Sequence, residues 1–220
     1  VGALATYQSQ IQDLLHDPLG QLWPVSTLLP YINEARNRIA QDTKCLRQVL
    51  TNAVYPTLTF VQGTEFITPQ TFLPAPFGGQ VVDTLGISIT VNQQRLKLIY
   101  KPYTWLDAFM RAWVNYQQWP QFWSRVSPIQ VVIAPVPNIT YTCDWDVAVN
   151  PNALIDDTTV DQIPVPFAEC VQYYAAYKAK LKQQSQGEAK FFNDLYELTK
   201  KRCALAFWGR IVQNPYSAST

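Results

Sequence analysis

Few side chains in this 220-residue chain are equipped for catalysis. His16 is its only histidine. Helical spacing puts it in the last turn of a first helix, where the C-terminal dipole favours a cation. One imidazole makes no His-rich metal site, and no nucleophile motif accompanies it. The chain lacks GxSxG, HExxH, GxGxxG and Walker patterns, and 8 glycines are too few for phosphate-cradling loops. Asp144, Asp146, Asp156, Asp157 and Asp161 are the best candidates for a metal or an acid–base pair. Asp144 and Asp146 fall on the polar side of an alternating strand, as a solvated sheet face requires. Asp156 and Asp157 sit in a loop without the glycine and closing glutamate of a calcium site. Solvated charges are therefore the preferred reading, with no catalytic, metal or cofactor residue assigned.

The aromatic residues are more informative. Trp105, Trp113, Trp119, Trp123 and Trp145 invite comparison with a sugar-stacking platform. Large rings also fill small β-domain cores and anchor subunit interfaces. Core or interface is favoured for Trp105, Trp113, Trp119, Phe122 and Trp123. The four cysteines, Cys45, Cys143, Cys170 and Cys203, are widely spaced without CxxC, which suits buried free thiols in a reducing compartment.

These residues must be positioned by elements of two kinds. Apolar residues make up 48% and charged ones only 15%, which excludes a disordered chain and suggests surface covered by partners. A net charge of +1 carries no nucleic-acid signature. Residues 168–210 do hold eight Lys/Arg against four Asp/Glu, best read as a solvated helix face. No run of 18 apolar residues predicts a membrane span, and the opening VGALATYQSQIQDLLHD does not read as a secretory signal.

Leu4, Tyr7, Ile11, Leu14 and Leu15 predict a first helix over Ala3–Asp17, stopped by Asp17-Pro18-Leu19-Gly20. A second begins near Ser26 or Thr27 as N-cap, with Pro30 in its first turn. Its stripe is Leu28, Leu29, Ile32, Ala35 and Ile39, leaving Glu34, Arg36 and Arg38 mostly outside. After Arg47 the period changes from about 3.6 to 2. Leu58/Phe60, Ile87–Val91 and Leu96–Tyr100 read as strands, the last two as a hairpin about Asn92–Gln94. Thr140–Val149 is the clearest strand, with Tyr141, Cys143, Trp145, Val147 and Val149 on one side. Pro69–Gly79 reads as a loop and Trp105–Trp113 as a short helix. Helical periodicity then returns over Pro166–Ser185 (Phe167, Val171, Tyr174, Leu181) and Glu188–Trp208 (Phe191, Leu195, Leu198, Leu205). Ser185-Gln186-Gly187 breaks the two into a helical hairpin.

Three stretches together resemble the head-to-tail connector, or adaptor, proteins of tailed bacteriophages. Tyr31–Arg47 (YINEARNRIAQDTKCLR) is similar to the family's Asn-x-Ala helix leading into the first strand. Val131–Val147 (VVIAPVPNITYTCDWDV) resembles its strand, Pro-x-Pro turn and Tyr-bearing strand. Ile163–Arg202 resembles its Ile-Pro, Tyr-Tyr-Ala, acidic-turn, Ala-Lys-Phe hairpin. The resemblance implies a homo-oligomeric ring, commonly of twelve copies, docked beneath the portal protein at the capsid vertex. Such a ring extends the DNA channel, with non-specific proximity to double-stranded DNA, and presents a platform to a tail or nozzle protein. Its place would be the virion head-tail interface, assembled in the host cytoplasm.

The expected fold class is α+β: a four-helix body from both chain ends (1–47 and 166–208) with an inserted antiparallel β-sandwich or barrel (48–165). Residues 209–220 form a C-terminal tail. By position Gly209, Arg210, Ile211, Val212, Gln213, Asn214, Pro215 and Tyr216 are expected to dock on the portal, as a free segment that orders on binding. The expected function is structural, without cofactor, membrane or enzymatic activity. The alternative is a carbohydrate- or receptor-binding virion component using the Trp cluster, and a hydrolase built on the aspartates ranks third.

Overall fold

The computed structural model describes residues 3–73, 80–110, 113–127 and 130–208, apart from the Trp208 side chain. Two helices come first, α1 (Ala3–Leu14) and α2 (Val25–Thr43). Strands β1 (Arg47–Leu50), β2 (Thr59–Phe60) and β3 (Phe66–Ile67) lead to a short helix, α3 (Pro69–Phe72). Next come β4 (Val81–Val91), β5 (Gln94–Lys97), β6 (Ile99–Tyr100) and helix α4 (Tyr103–Phe109). A 3-10 turn at Trp113–Asn115 precedes β7 (Gln117–Gln118), β8 (Phe122–Ser127), β9 (Gln130–Ala134), β10 (Val136–Pro137) and β11 (Tyr141–Val149). Helices α5 (Val165–Lys182) and α6 (Gln186–Trp208) follow. The fold is α+β. It divides into a helical unit, residues 1–46 with 150–220, and a strand unit, residues 47–149. Residues 150–165, read from sequence with the strands, thus lie with the helices.

In the helical unit α5 is central, packing against α6, α2 and α1. Ala175, Ala176 and Ala179 are fully buried on it, small enough for neighbours to approach from more than one side. Leu4, Tyr7 and Ile11 of α1 and Leu28, Ile32, Ala35 and Ile39 of α2 join this core, as their spacing predicts. Leu14 and Leu29 are only partly buried. On α6 the sequence reading chose the wrong stripe: Phe192 and Tyr196 are buried, while Phe191, Leu198 and Leu205 are exposed. Leu181 of α5 is exposed as well. Both faces of α6 carry apolar side chains at helical spacing, so periodicity alone offers no choice between them.

Arg36 is the larger correction, since it is 1% exposed rather than outside the stripe. Its Nε and Nη2 donate to Asp161 Oδ1 (3.0 and 2.8 Å), and Nη1 donates to the Asn152 carbonyl (2.7 Å). Asp161 also accepts from the Tyr7 hydroxyl (2.6 Å) and the Ile163 N–H (3.1 Å). Burial first, then the bond to Asp161, pushes the Tyr7 phenol far above its usual range. One turn earlier, Asn33 donates to the Leu154 carbonyl (3.0 Å) and accepts its N–H (2.8 Å). Side chains of α2 thereby satisfy the backbone of a segment with no ladder of its own.

Helix ends are made without glycine. His16 (φ 57°), Lys44 (φ 52°) and Gln184 (φ 59°) all adopt the left-handed conformation. At the end of α1 the His16 N–H reaches Asp13 O and the Asp17 N–H reaches Gln12 O, a Schellman pair. Gln184 and Ser185 repeat this onto Leu181 and Lys180. His16 therefore lies beyond the last helical turn, and Gly187 falls inside α6 rather than in the break. Asp17 then accepts from the Gln21, Leu22 and Trp23 N–H groups and shapes the turn into α2. The N-cap of α2 is Pro24, not Ser26 or Thr27, which moves Pro30 into the second turn.

In the strand unit one sheet runs β1-β11-β4-β5, with β2 also on β11, and a second runs β3-β9-β8-β6. Tyr141, Cys143, Trp145, Val147 and Val149 of β11 are all buried, as their alternation predicts. Burial pushes the Cys143 thiol up to about 12. Ser88–Val91 pairs with Gln94–Lys97 as the hairpin, turned at Asn92 and Gln93 with positive φ. The second arm does not continue as one strand. At buried Leu98 the chain leaves the first sheet, and Ile99–Tyr100 pairs in parallel with β8 of the second. A strand that changes sheets at a corner joins two layers. The short parallel pair β7·β10 is a further departure from an all-antiparallel unit. The predicted loop at 69–79 contains the turn of α3, and residues 74–79 lie outside the described residues.

Two outcomes follow for the helical unit. Arg36→Ala strands a buried carboxylate and should lower the unfolding free energy by about 3–5 kcal/mol in urea titrations, whereas Arg36→Met with Asp161→Leu should lose much less. Asp42 provides a pH test. Burial works to raise its carboxyl, but hydrogen bonds from Lys200 (2.9 Å) and Tyr196 (3.0 Å), with the Lys200 and Arg38 charges, hold it below the usual range. A depressed folded value stabilises above the unfolded pKa of about 4 and is lost as pH falls through the folded one. Asp42→Asn should therefore be less stable than the parent at pH 7, with the urea midpoints converging below about pH 4.

Candidate functional site

The aromatics singled out from sequence do not form one platform. Trp145 is fully buried between Phe60 (centroids 6.3 Å) and Phe72 (5.4 Å). Trp123 is buried against Tyr100 at 4.9 Å. Trp113 is buried in a cluster with Leu106, Val132, Ala134 and Val136, against which Trp105 and Phe122 pack. Its indole N–H points to Asp107 (3.4 Å). Rings enclosed in this way present no face to a sugar. Trp119 is the exposed one, at 42%.

Trp105 joins core to surface. It stacks on Phe109 (5.3 Å), meets Phe122 (5.4 Å), and carries the Lys101 ammonium over its ring at 4.8 Å. Phe109 and Tyr116 then extend outward, 73% and 59% exposed. With Met110, Trp113, Pro135 and Gln118 they line a groove of about 460 Å³. α4 supplies its Phe109 wall, and the chain from the 3-10 turn into β7 supplies Tyr116 and Gln118. Among the described residues the lining has no charged group and one amide, a chemistry suited to holding an apolar segment. The sequence reading missed Phe109, Met110, Tyr116 and Pro135. Phe109, four residues after Trp105 on a helix, was the legible signal.

A second surface is the face of the first sheet opposite Trp145. Arg47, Arg95 and Lys97 stand there with Asp144, Asp146, Gly86 and Ser88 around a hollow of about 290 Å³. Asp144 and Asp146 are therefore ion-paired rather than freely solvated. Arg47 grips Asp146 through two nitrogens, and Arg95 Nε lies 2.9 Å from Asp144. The Asn52 N–H also donates to Asp144 (2.9 Å). The bond to Asp146 raises the Arg47 pKa further above its usual value. Asp161 belongs to the buried Arg36 network instead. Asp156 is exposed, its Oδ1 accepting from Thr158 and Thr159, and Asp157 accepts the Ala5 N–H at 2.7 Å. The carboxylates thus fall into separate structural pairs. Among the described residues no three His, Cys, Asp or Glu side chains converge as a metal requires.

The cysteines are unpaired, with Cys45, Cys143 and Cys170 buried and Cys203 partly so. Among the described residues no helix is long and apolar enough to cross a membrane. The expected docking residues Gly209–Tyr216 lie outside the described residues.

The quoted motif residues have identifiable physical roles. Asn33 and Arg36 hold the 150–163 segment, and Ala35 is fully buried between them. Pro164 is the N-cap of α5, and Tyr174 meets Tyr196 edge-on at 5.2 Å across the helical hairpin. Pro135 and Val136 enter the groove and its supporting cluster. No curated protein sequence matches the chain. The model of the SU10 adaptor protein family matches residues 3–206, spanning both units, and the chain belongs to this family of structural phage adaptor proteins.

Proposed function

We propose that this virion protein acts as a head-to-tail adaptor that assembles with copies of itself into a ring, commonly of twelve, on the portal. The ring extends the DNA channel and carries a tail or nozzle protein. The family match over residues 3–206 is the observation that carries this reading. The aromatic groove supports it, because it offers a protein partner an apolar seat without catalytic groups. Residues 209–220 dock on the portal in this proposal. DNA passes without specific contact, consistent with a net charge of +1.

Electron microscopy and native mass spectrometry of the chain mixed with its portal protein test the reading. A closed ring stacked on the portal is the expected result, and a chain that stays monomeric with the portal would overturn it. Deleting residues 209–220 should leave the number of copies in the ring unchanged and abolish its co-sedimentation with portal. Undiminished co-sedimentation would sink the docking role of the tail.

A further inference from the structure

Opposite its buried face, α6 carries a second apolar face that no described residue covers. Phe191, Leu198 and Leu205 recur at seven-residue spacing and are 59%, 47% and 75% exposed. That repeat makes a straight seam, the pattern by which one helix packs on another apolar surface. Exposed Lys190, Lys201 and Arg202 lie near it, as do exposed Glu188 and Asp194, and the adjacent pair Lys201 and Arg202 stands between Leu198 and Leu205 in sequence. At the start of the seam Phe191 walls a recess of about 320 Å³ with Leu14, Lys180 and Phe192. Three large apolar side chains in a line, with two adjacent cations at the Leu198–Leu205 end, form a surface for a partner that is itself apolar and carries acidic groups at the matching end.

The same unit carries such a surface. The segment from Leu154 to Val165 exposes Ile155 at 76%, Val160 at 81% and Val165 at 87%. Exposed Asp156 and Asp157 stand among them. This segment is not loose. Asn33 and Arg36 pin its backbone, Tyr7 and Arg36 hold Asp161, and Leu154 and Ile163 anchor in the core. Its outward residues are thus presented by a fixed backbone, which lowers the entropy cost of binding. Tyr7, Asn33 and Arg36 thus tie the segment to α1 and α2, and the Cys203 thiol of α6 donates to the Pro166 carbonyl (2.7 Å) just beyond it.

We infer that the α6 seam of one copy docks on the Ile155–Val165 segment of the next copy, with Lys190, Lys201 and Arg202 facing Asp156 and Asp157. The inference rests on the ring reading above and names its subunit contact. Two different, complementary patches on one chain make a head-to-tail interface, which closes into a ring when the rotation permits. Opposite charges at the rim set register and exclude seam-to-seam pairing, since two basic seams repel.

The test uses the full-length chain and two charge-reversed variants. Lys201→Glu with Arg202→Glu alters the seam, and Asp156→Lys with Asp157→Lys alters the segment. Each variant alone should remain monomeric with portal present, by native mass spectrometry, while keeping the parent circular dichroism spectrum. Mixed one to one they should form closed rings in which the variants alternate, because each altered patch then meets its complement. Leu198→Asp should abolish ring formation and has no rescuing partner among these variants. Rings formed by either reversed variant alone, or by Leu198→Asp, would overturn the contact while leaving the ring reading intact. A parent chain that forms no ring on portal would overturn both.

Discussion

The helical unit is organised around a charge that water barely reaches. Arg36 comes from the second helix, Asp161 from a stretch 125 residues later, and Tyr7 from the first helix. A guanidinium buried without its carboxylate costs several kcal/mol, so these three pieces of chain must be in place together. That requirement explains why an irregular segment can lie in a hydrophobic unit. Its carbonyls and N–H groups find donors and acceptors on α2, at Asn33 and Arg36, instead of on a neighbouring strand. The pair contributes uniqueness of arrangement more than net stability, because an apolar replacement of both partners would pack nearly as well. In this unit it selects one path for residues 150–163.

That path has a consequence for the surface. Holding Leu154 and Ile163 inward turns Ile155, Val160 and Val165 outward, since a segment this short cannot bury all five. On α6 the equivalent choice is made by packing against α5, which buries Phe192 and Tyr196 in one cluster with Ala175, Ala176 and Ala179 and leaves Phe191, Leu198 and Leu205 exposed. A subunit of the ring proposed above needs surfaces that are satisfied only in the assembly. A chain with 48% apolar residues and 15% charged ones has the composition for it. The strand unit follows the same logic in aromatic form. Trp113 and Trp105 are fixed by the cluster beneath them, and Phe109 and Tyr116 project beyond it. Rigid rings backed by a packed core make better anchors than flexible side chains, because little rotamer freedom remains to be lost on docking.

The charged sheet face shows how ion pairs can resemble a site without being one. Asp144 and Asp146 are two residues apart on one strand, as an acid–base pair might be. Each is instead taken by an arginine from a different strand, Asp146 by Arg47 of the adjacent β1 and Asp144 by Arg95 of β5, which lies beyond β4. The alternation placed both carboxylates on the polar side correctly. It carried no information about which strands would flank them, and cross-strand pairing decides whether such a group is solvated, paired or reactive.

The long helices and the strands β2, β4, β5 and β11 were legible from sequence, because burial of one face imposes a period on the residues that supply it, whereas β1, β3, β7, β8, β10 and the single turn of α3 are too short or too irregular to show one. Tyr141 to Val149 is the clearest case, every second side chain lying inside. Helix ends were less legible: His16, Lys44 and Gln184 reverse or end the helices in conformations usually associated with glycine, and capping by backbone geometry leaves little trace in residue type. Local pattern determined that α6 is a helix with apolar residues on two faces. Only the tertiary structure decided which face is core, because that depends on the shape α5 offers it. The same holds for Arg36, whose position beside the apolar stripe looked exposed until a distant aspartate was folded against it. Sequence specifies periodicity through neighbours along the chain, whereas burial of a charge is set by neighbours in space.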